Sequence, residues 1–196
     1  MKKILTTIFA VVLSATTFAQ EFNKHVASAK SAYAAGKLED SRFAMQQALQ
    51  ELDIALSKEV LKILPTKLET LNYNADSDNV TGSSGFIGMY IHRDYGTDAK
   101  KASLEVISNS PLMASINAIL SLPFAGTATG QKVVKISGYK ALIQKETDTE
   151  TNKDTFNLQL PLNSSLLTLK LENGTEDEVV KYANALPVTQ LAKMIQ

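Results

Sequence analysis

Few residues in this sequence have the types and spacing that chemistry needs. His92-Arg93-Asp94-Tyr95 closes a stretch of alternating apolar residues. An imidazole and a carboxylate two apart lie on one face of a strand, where a general base and its orienting acid could meet. Sharing a face does not require touching, so the reading is a solvated strand end, with catalysis by His92 and Asp94 as the sharper alternative. The other histidine, His25, falls in a helical stretch. The chain has no Cys and no H-E-x-x-H spacing. A metal site would have to be assembled from distant carboxylates, and neither a metal nor a cofactor is expected.

Two acidic runs come nearest to a cation loop. Asn74, Asp76 and Asp78 alternate as at the start of a calcium loop. That loop needs Gly at its sixth position and a bidentate Glu at its twelfth. Asn79 and Gly85 stand there instead, so residues 74–85 read as a solvated surface loop. Asp148, Glu150, Asn152 and Asp154 fit the polar tip of a hairpin. The stretch from Ala125 to Val134, AGTATGQKVV, resembles a phosphate loop, but Gln131 separates Gly130 from Lys132 and no Ser or Thr follows the Lys. A helix precedes it and a strand follows, the reverse of what phosphate cradling requires. Gly82 to Gly85, GSSG, lacks the spacing of a nucleophile elbow, so Ser83 and Ser84 read as turn residues. Asn79, Asn163 and Asn173 begin N-x-S/T triplets by chance. The apolar run Leu112–Phe124 is too short to span a membrane.

The elements that would position these residues begin after an address. Lys2 and Lys3, an apolar run from Ile4 to Leu13, and Thr17-Phe18-Ala19 form a secretory signal peptide over residues 1–19. Absence of Cys excludes a lipoprotein anchor after the cut. The 196-residue chain is formally neutral, and removing Lys2 and Lys3 leaves 18 basic and 20 acidic residues. No basic face is evident, which argues against nucleic acid as a partner. Apolar residues make up 44%, enough for a core without disulfides or metal.

Two helices come first, joined at Gly36. Phe22, Val26, Ala29 and Tyr33 recur at helical spacing, and Met45, Leu49, Leu52, Leu56, Val60 and Ile63 form the stripe of a helix that Pro65 ends. The pattern then alternates. Strands are expected at Leu71–Tyr73, Phe86–Tyr95, Ala102–Val106, Lys132–Ile136, Tyr139–Lys145, Thr155–Leu162 and Leu166–Glu172. Ser110-Pro111 predicts a helix start, and Thr175 to Glu178 a capping box. Close strand spacing favours antiparallel pairing.

The hairpin, residues 20–65, resembles a single tetratricopeptide repeat. Ala29, Gly36, Ser41 and Ala48 fall at that motif's small positions, Leu38 and Met45 at its larger ones. His25 and Asp53 depart from it, and no second copy follows, whereas arrays need about three units. The C-terminal half, VVKISGYKALIQKE through VVKYANALP, is loosely similar to exported bacterial domains with PsbP- or Mog1-like folds. The resulting expectation is an α+β chain. A helical hairpin precedes a mainly antiparallel sheet of about six or seven strands over residues 66–196, with helices on one face. Without a catalytic signature, the expected function is non-enzymatic binding in the periplasm or outside the cell, the hairpin being the protein contact. Two alternatives are a carrier of an apolar ligand between sheet and helix, and a hydrolase with an unfamiliar site.

One outcome follows directly from the leader. The protein recovered after export should begin at Gln20, its intact mass lacking Met1 to Ala19. An exported form that retains those residues would contradict the cleavage site.

Overall fold

The structure, a computed structural model, describes residues 20–83, 88–122, 130–150 and 152–195. The expected signal peptide, Ser84 to Ile87, and residues 125–129 of the phosphate-loop-like stretch lie outside them. The chain divides into two compact units between Leu56 and Ser57, ahead of the boundary that Pro65 suggests. Among the described residues no helix is long and apolar enough to cross a membrane.

The first unit is the hairpin. Helix α1 spans residues 20–34 and α2 Leu38–Ile63. Gly36 turns the chain at φ +73°, a conformation that costs glycine nothing. The amides of Gly36 and Lys37 return to the carbonyls of Tyr33 and Ala32, closing the end of α1. Glu39 and Asp40 sit in the first turn of α2, where the helix dipole favours negative charge. The helices meet on their small residues. Ala29, Ala44 and Ala48 are buried, and the Ser41 hydroxyl donates to the Ala29 carbonyl at 2.9 Å. Met45, Leu49 and Leu52, from the apolar stripe of α2, face outward. Alanines allow the closer backbone approach, so they form the contact and displace the leucines from it.

The second unit is one antiparallel sheet with the order β1-β2-β3-β4-β8-β7-β6-β5. Its strands are β1 Lys67–Leu68, β2 Leu71–Thr81, β3 Tyr90–Thr97, β4 Lys100–Ser108, β5 Gln131–Ile136, β6 Tyr139–Thr147, β7 Asp154–Leu162 and β8 Ser165–Glu172. This is the expected α+β architecture, with eight strands. Two four-strand meanders join where β4 pairs with β8. Strand order and direction repeat about a two-fold axis normal to the sheet at that seam.

The pairing register sorts the side chains into two faces. Along one row Ile91, Val106, Leu167 and Leu160 stand side by side, and along the next Leu104, Leu169 and Leu158. All are buried. Helices α4 (Glu176–Asn184) and α5 (Val188–Met194) cover this face. Thr175 and Glu178 form the expected capping box of α4. Ser57, Val60 and Leu64, from α2 and just beyond it, are buried within the same unit. Helix α3 (Met113–Ser121) lies on the second face, so the sheet carries helices on both faces and not on the one face expected. There Ile116 and Leu120 join Leu142, which stands opposite Gln159 rather than Leu158. Ser110 and Pro111 form a turn ahead of α3 rather than its cap, and the helix has no side-chain cap.

Residues 74–81, expected to be loop, belong to β2. Ala75 to Asp78 bulge out between the pairs Asn74↔Asp94 and Asn79↔His92. The Asn74 side chain accepts from the Asp76 amide, and the Ser77 hydroxyl donates to the Asn74 carbonyl. The bulge delivers Asp78 to Arg93, whose Nε and Nη2 donate to it at 2.7 and 2.6 Å. Arg93 is buried, donates also to the Leu64 carbonyl at 3.3 Å, and lies 4.8 Å from the Tyr73 ring centre. The residue that suggested a calcium ligand is thus the counter-ion of a buried guanidinium.

The alanine contact in the hairpin has a testable cost. Ala48→Leu should overpack it and lower stability by about 1–3 kcal/mol, read by denaturant unfolding. A variant as stable as the parent would show that the helices are not held at this point.

Candidate functional site

The second face of the sheet is polar where α3 does not cover it. Residues Asp98 and Ala99 form a two-residue turn joining Thr97 to Lys100. Gly96 precedes it at φ +89°, and a Cβ there would lie 2.2 Å from the Lys100 carbonyl oxygen, so only glycine fits. This turn fixes the register of β3 on β4. His92 comes opposite Glu105, and Asp94 opposite Ser103.

A cluster results. His92 Nε2 lies 3.2 Å from Asp94 Oδ1, and Nδ1 lies 3.5 Å from Glu105 Oε1. Tyr90 donates its hydroxyl to Glu105 at 3.1 Å and stacks on His92 with ring centres 6.3 Å apart. Ser103 donates to Asp94 at 2.6 Å, and Lys101 reaches the same carboxylate at 2.8 Å. Burial by itself would raise the Asp94 carboxyl. Hydrogen bonds from Lys101 and Ser103, with the charges of His92 and Lys101, outweigh that and hold it below the usual carboxylate range. Tyr90 is pushed up to about 12, first by burial and then by the charge and hydrogen bond of Glu105.

His92 and Asp94 are therefore in contact, which their sequence spacing left open. Tyr90, Lys101, Ser103 and Glu105 were not singled out by sequence. Their signal lay in the turn: once Asp98 and Ala99 are placed at its tip, counting outward pairs His92 with Glu105. Chemically the cluster is an imidazole between two carboxylates. Ser103 donates to Asp94 and not to the imidazole, so among the described residues no hydroxyl is aligned for proton removal by His92. Among the described residues no group of three His, Asp or Glu side chains is arranged to hold a metal ion. His25 is remote in sequence, on α1, 3.9 Å from Glu21. Asp148 and Asp154 flank the tip between β6 and β7, where Asp154 takes Lys145 at 2.8 Å and Thr147 at 2.7 Å.

The hairpin offers a different surface. Tyr33, Leu38, Phe43, Met45, Leu49 and Leu52 are all exposed, at 46–70%. Phe43 also lines an open groove between α1 and α2, with Lys24, His25, Ser28, Asp40 and Gln47.

Comparison with protein-family models, with curated proteins and with solved structures finds no match to this chain.

Acid titration tests the cluster. The folded-state Asp94 value lies below the unfolded one, so its contribution is complete above about pH 4 and is lost as pH falls through the folded value. Asp94→Asn should cost about 1–2 kcal/mol at pH 7 and should flatten the fall in stability below about pH 4. Denaturant unfolding at both pH values reads the difference. Equal losses at both would remove Asp94 as the group responsible.

Proposed function

We propose that this chain is an exported, non-enzymatic binding protein, periplasmic or secreted, with the hairpin as its protein contact and the sheet unit as its scaffold. One observation carries the reading. Of the nine large apolar side chains exposed among the described residues, six lie on the hairpin and only Tyr73, Leu112 and Leu122 lie elsewhere. Scattered exposure needs no explanation, but apolar side chains concentrated on one short element mark a surface that meets something. The near-neutral charge fits a protein partner better than a nucleic acid.

The Asp94–His92–Glu105 contacts favour a second reading, a hydrolase acting through His92. Both ring nitrogens already face carboxylates, which suits a structural ion-pair network at least as well. A carrier of apolar ligands would use the space between α3 and the sheet, where Ile116, Leu120 and Leu142 pack together with Ile119 and Val133.

The test compares the whole protein with a chain lacking residues 20–56. That deletion keeps Ser57, Val60 and Leu64, which are buried in the sheet unit. The shortened chain should melt cooperatively and lose capture of whatever the whole protein retains from an envelope extract. Capture that survives the deletion would overturn the reading.

A further inference from the structure

The outward stripe of α2 has a spacing that specifies what covers it. Met45, Leu49, Leu52 and Leu56 are separated by four, three and four residues, the alternation of a two-helix seam. Leu38 continues the row toward the N-terminus. Leu38, Met45, Leu49 and Leu52 are 62, 46, 53 and 52% exposed, and Leu56 at the far end is half-buried. The buried side of this part of the helix is a different one, carried by Ala44 and Ala48. A helix laid on the stripe would therefore not compete with α1.

The row is also complementary to itself when reversed. About a point between Gln50 and Glu51, an antiparallel copy sets Leu49 against Leu52 of the second chain, and Met45 against its Leu56. The next positions of the same helical row are Arg42 on one side and Glu59 on the other. Reversal brings Arg42 against Glu59 of the second chain, twice over. Arg42 has no hydrogen-bond or ion-pair partner among the described residues, and Glu59 carries Lys62 at the surface.

We infer that the α2 stripe is a homodimer seam, occupied by α2 of a second copy of this chain in antiparallel register. The inference rests on the hairpin being a protein contact and names its partner. An isologous two-fold pairing of this kind closes on itself and leaves no surface to propagate.

Sedimentation velocity of the purified protein between about 1 and about 200 μM, the affinity span of ordinary reversible dimers, tests it. The expected result is a concentration-dependent monomer–dimer shift. Leu49→Glu, at an exposed position, should keep its helical circular dichroism and remain a monomer throughout. Arg42→Glu alone and Glu59→Arg alone should each weaken self-association by about tenfold or more, since each places like charges together at both ends of the seam. Mixing those two variants should restore a mixed dimer, because both contacts then join opposite charges. A dimer that survives Leu49→Glu, or charge variants that fail to pair when mixed, would overturn the antiparallel seam. A chain that stays monomeric at every concentration would overturn the second copy as partner. Hairpin-dependent capture of another protein would then leave the broader reading standing, and its absence would remove both.

Discussion

The pairing of β4 with β8 is the contact on which the sheet depends. Each meander is local, strand folding back on strand through short connections, and each would end in an apolar strand with an open edge. Seven residue pairs, from Ala102↔Leu171 to Ser108↔Ser165, close both edges at once. Ala102, Leu104, Val106, Leu167, Leu169 and Leu171 are then sealed on the helix-covered side. The partners stand far apart in sequence, so this ladder carries the loop-closure entropy of the fold. The hairpins can form first, and the seam is the step that makes their association cooperative.

The strands with one covered face were legible because burial imposed period two on them. In β7, Phe156, Leu158, Leu160 and Leu162 are buried while Thr155, Asn157, Gln159 and Pro161 are half-buried. The capping box at Thr175 and Glu178 was equally readable, being a local device. Strand β2 was hidden because it owes its place to an ion pair and not to apolar alternation. Asn74 to Asp78 have the composition of a loop, and only the distant Arg93 gives the bulge a reason to belong to the sheet. Ser110 misled for a related reason. Its side chain and the following Pro suit a cap, but the chain turns there before α3 begins.

The two candidate surfaces differ in how their side chains are employed. On β3 and β4 most of the polar groups are paired with one another: Asp94 holds Ser103, Lys101 and His92, and Glu105 holds Tyr90, while His92 Nδ1 has no hydrogen-bond partner among the described residues. Such a network positions side chains firmly and leaves few donors or acceptors uncommitted. On the hairpin Tyr33, Leu38, Phe43, Met45, Leu49 and Leu52 stand exposed. That contrast, invisible to composition, comes from Ala29, Ala44 and Ala48 taking the helix contact for themselves. Sequence periodicity identified the apolar stripe, and the small positions of the repeat-like motif marked where the helices meet.

The unequal faces of the sheet also guard its alignment. If β7 were paired one residue out of step, Leu158 and Leu160 would turn to the polar side, and Asn157 and Gln159 would point into the apolar layer. The same reversal would strike β8, whose Leu167, Leu169 and Leu171 alternate with Thr168, Lys170 and Glu172. A shift by two would restore the faces but pull Ser137-Gly138 and Asn163 away from the tips, where their positive φ angles serve the turns. The chain thus carries two independent checks on alignment, one odd–even and one positional, and a misaligned strand must fail at least one of them.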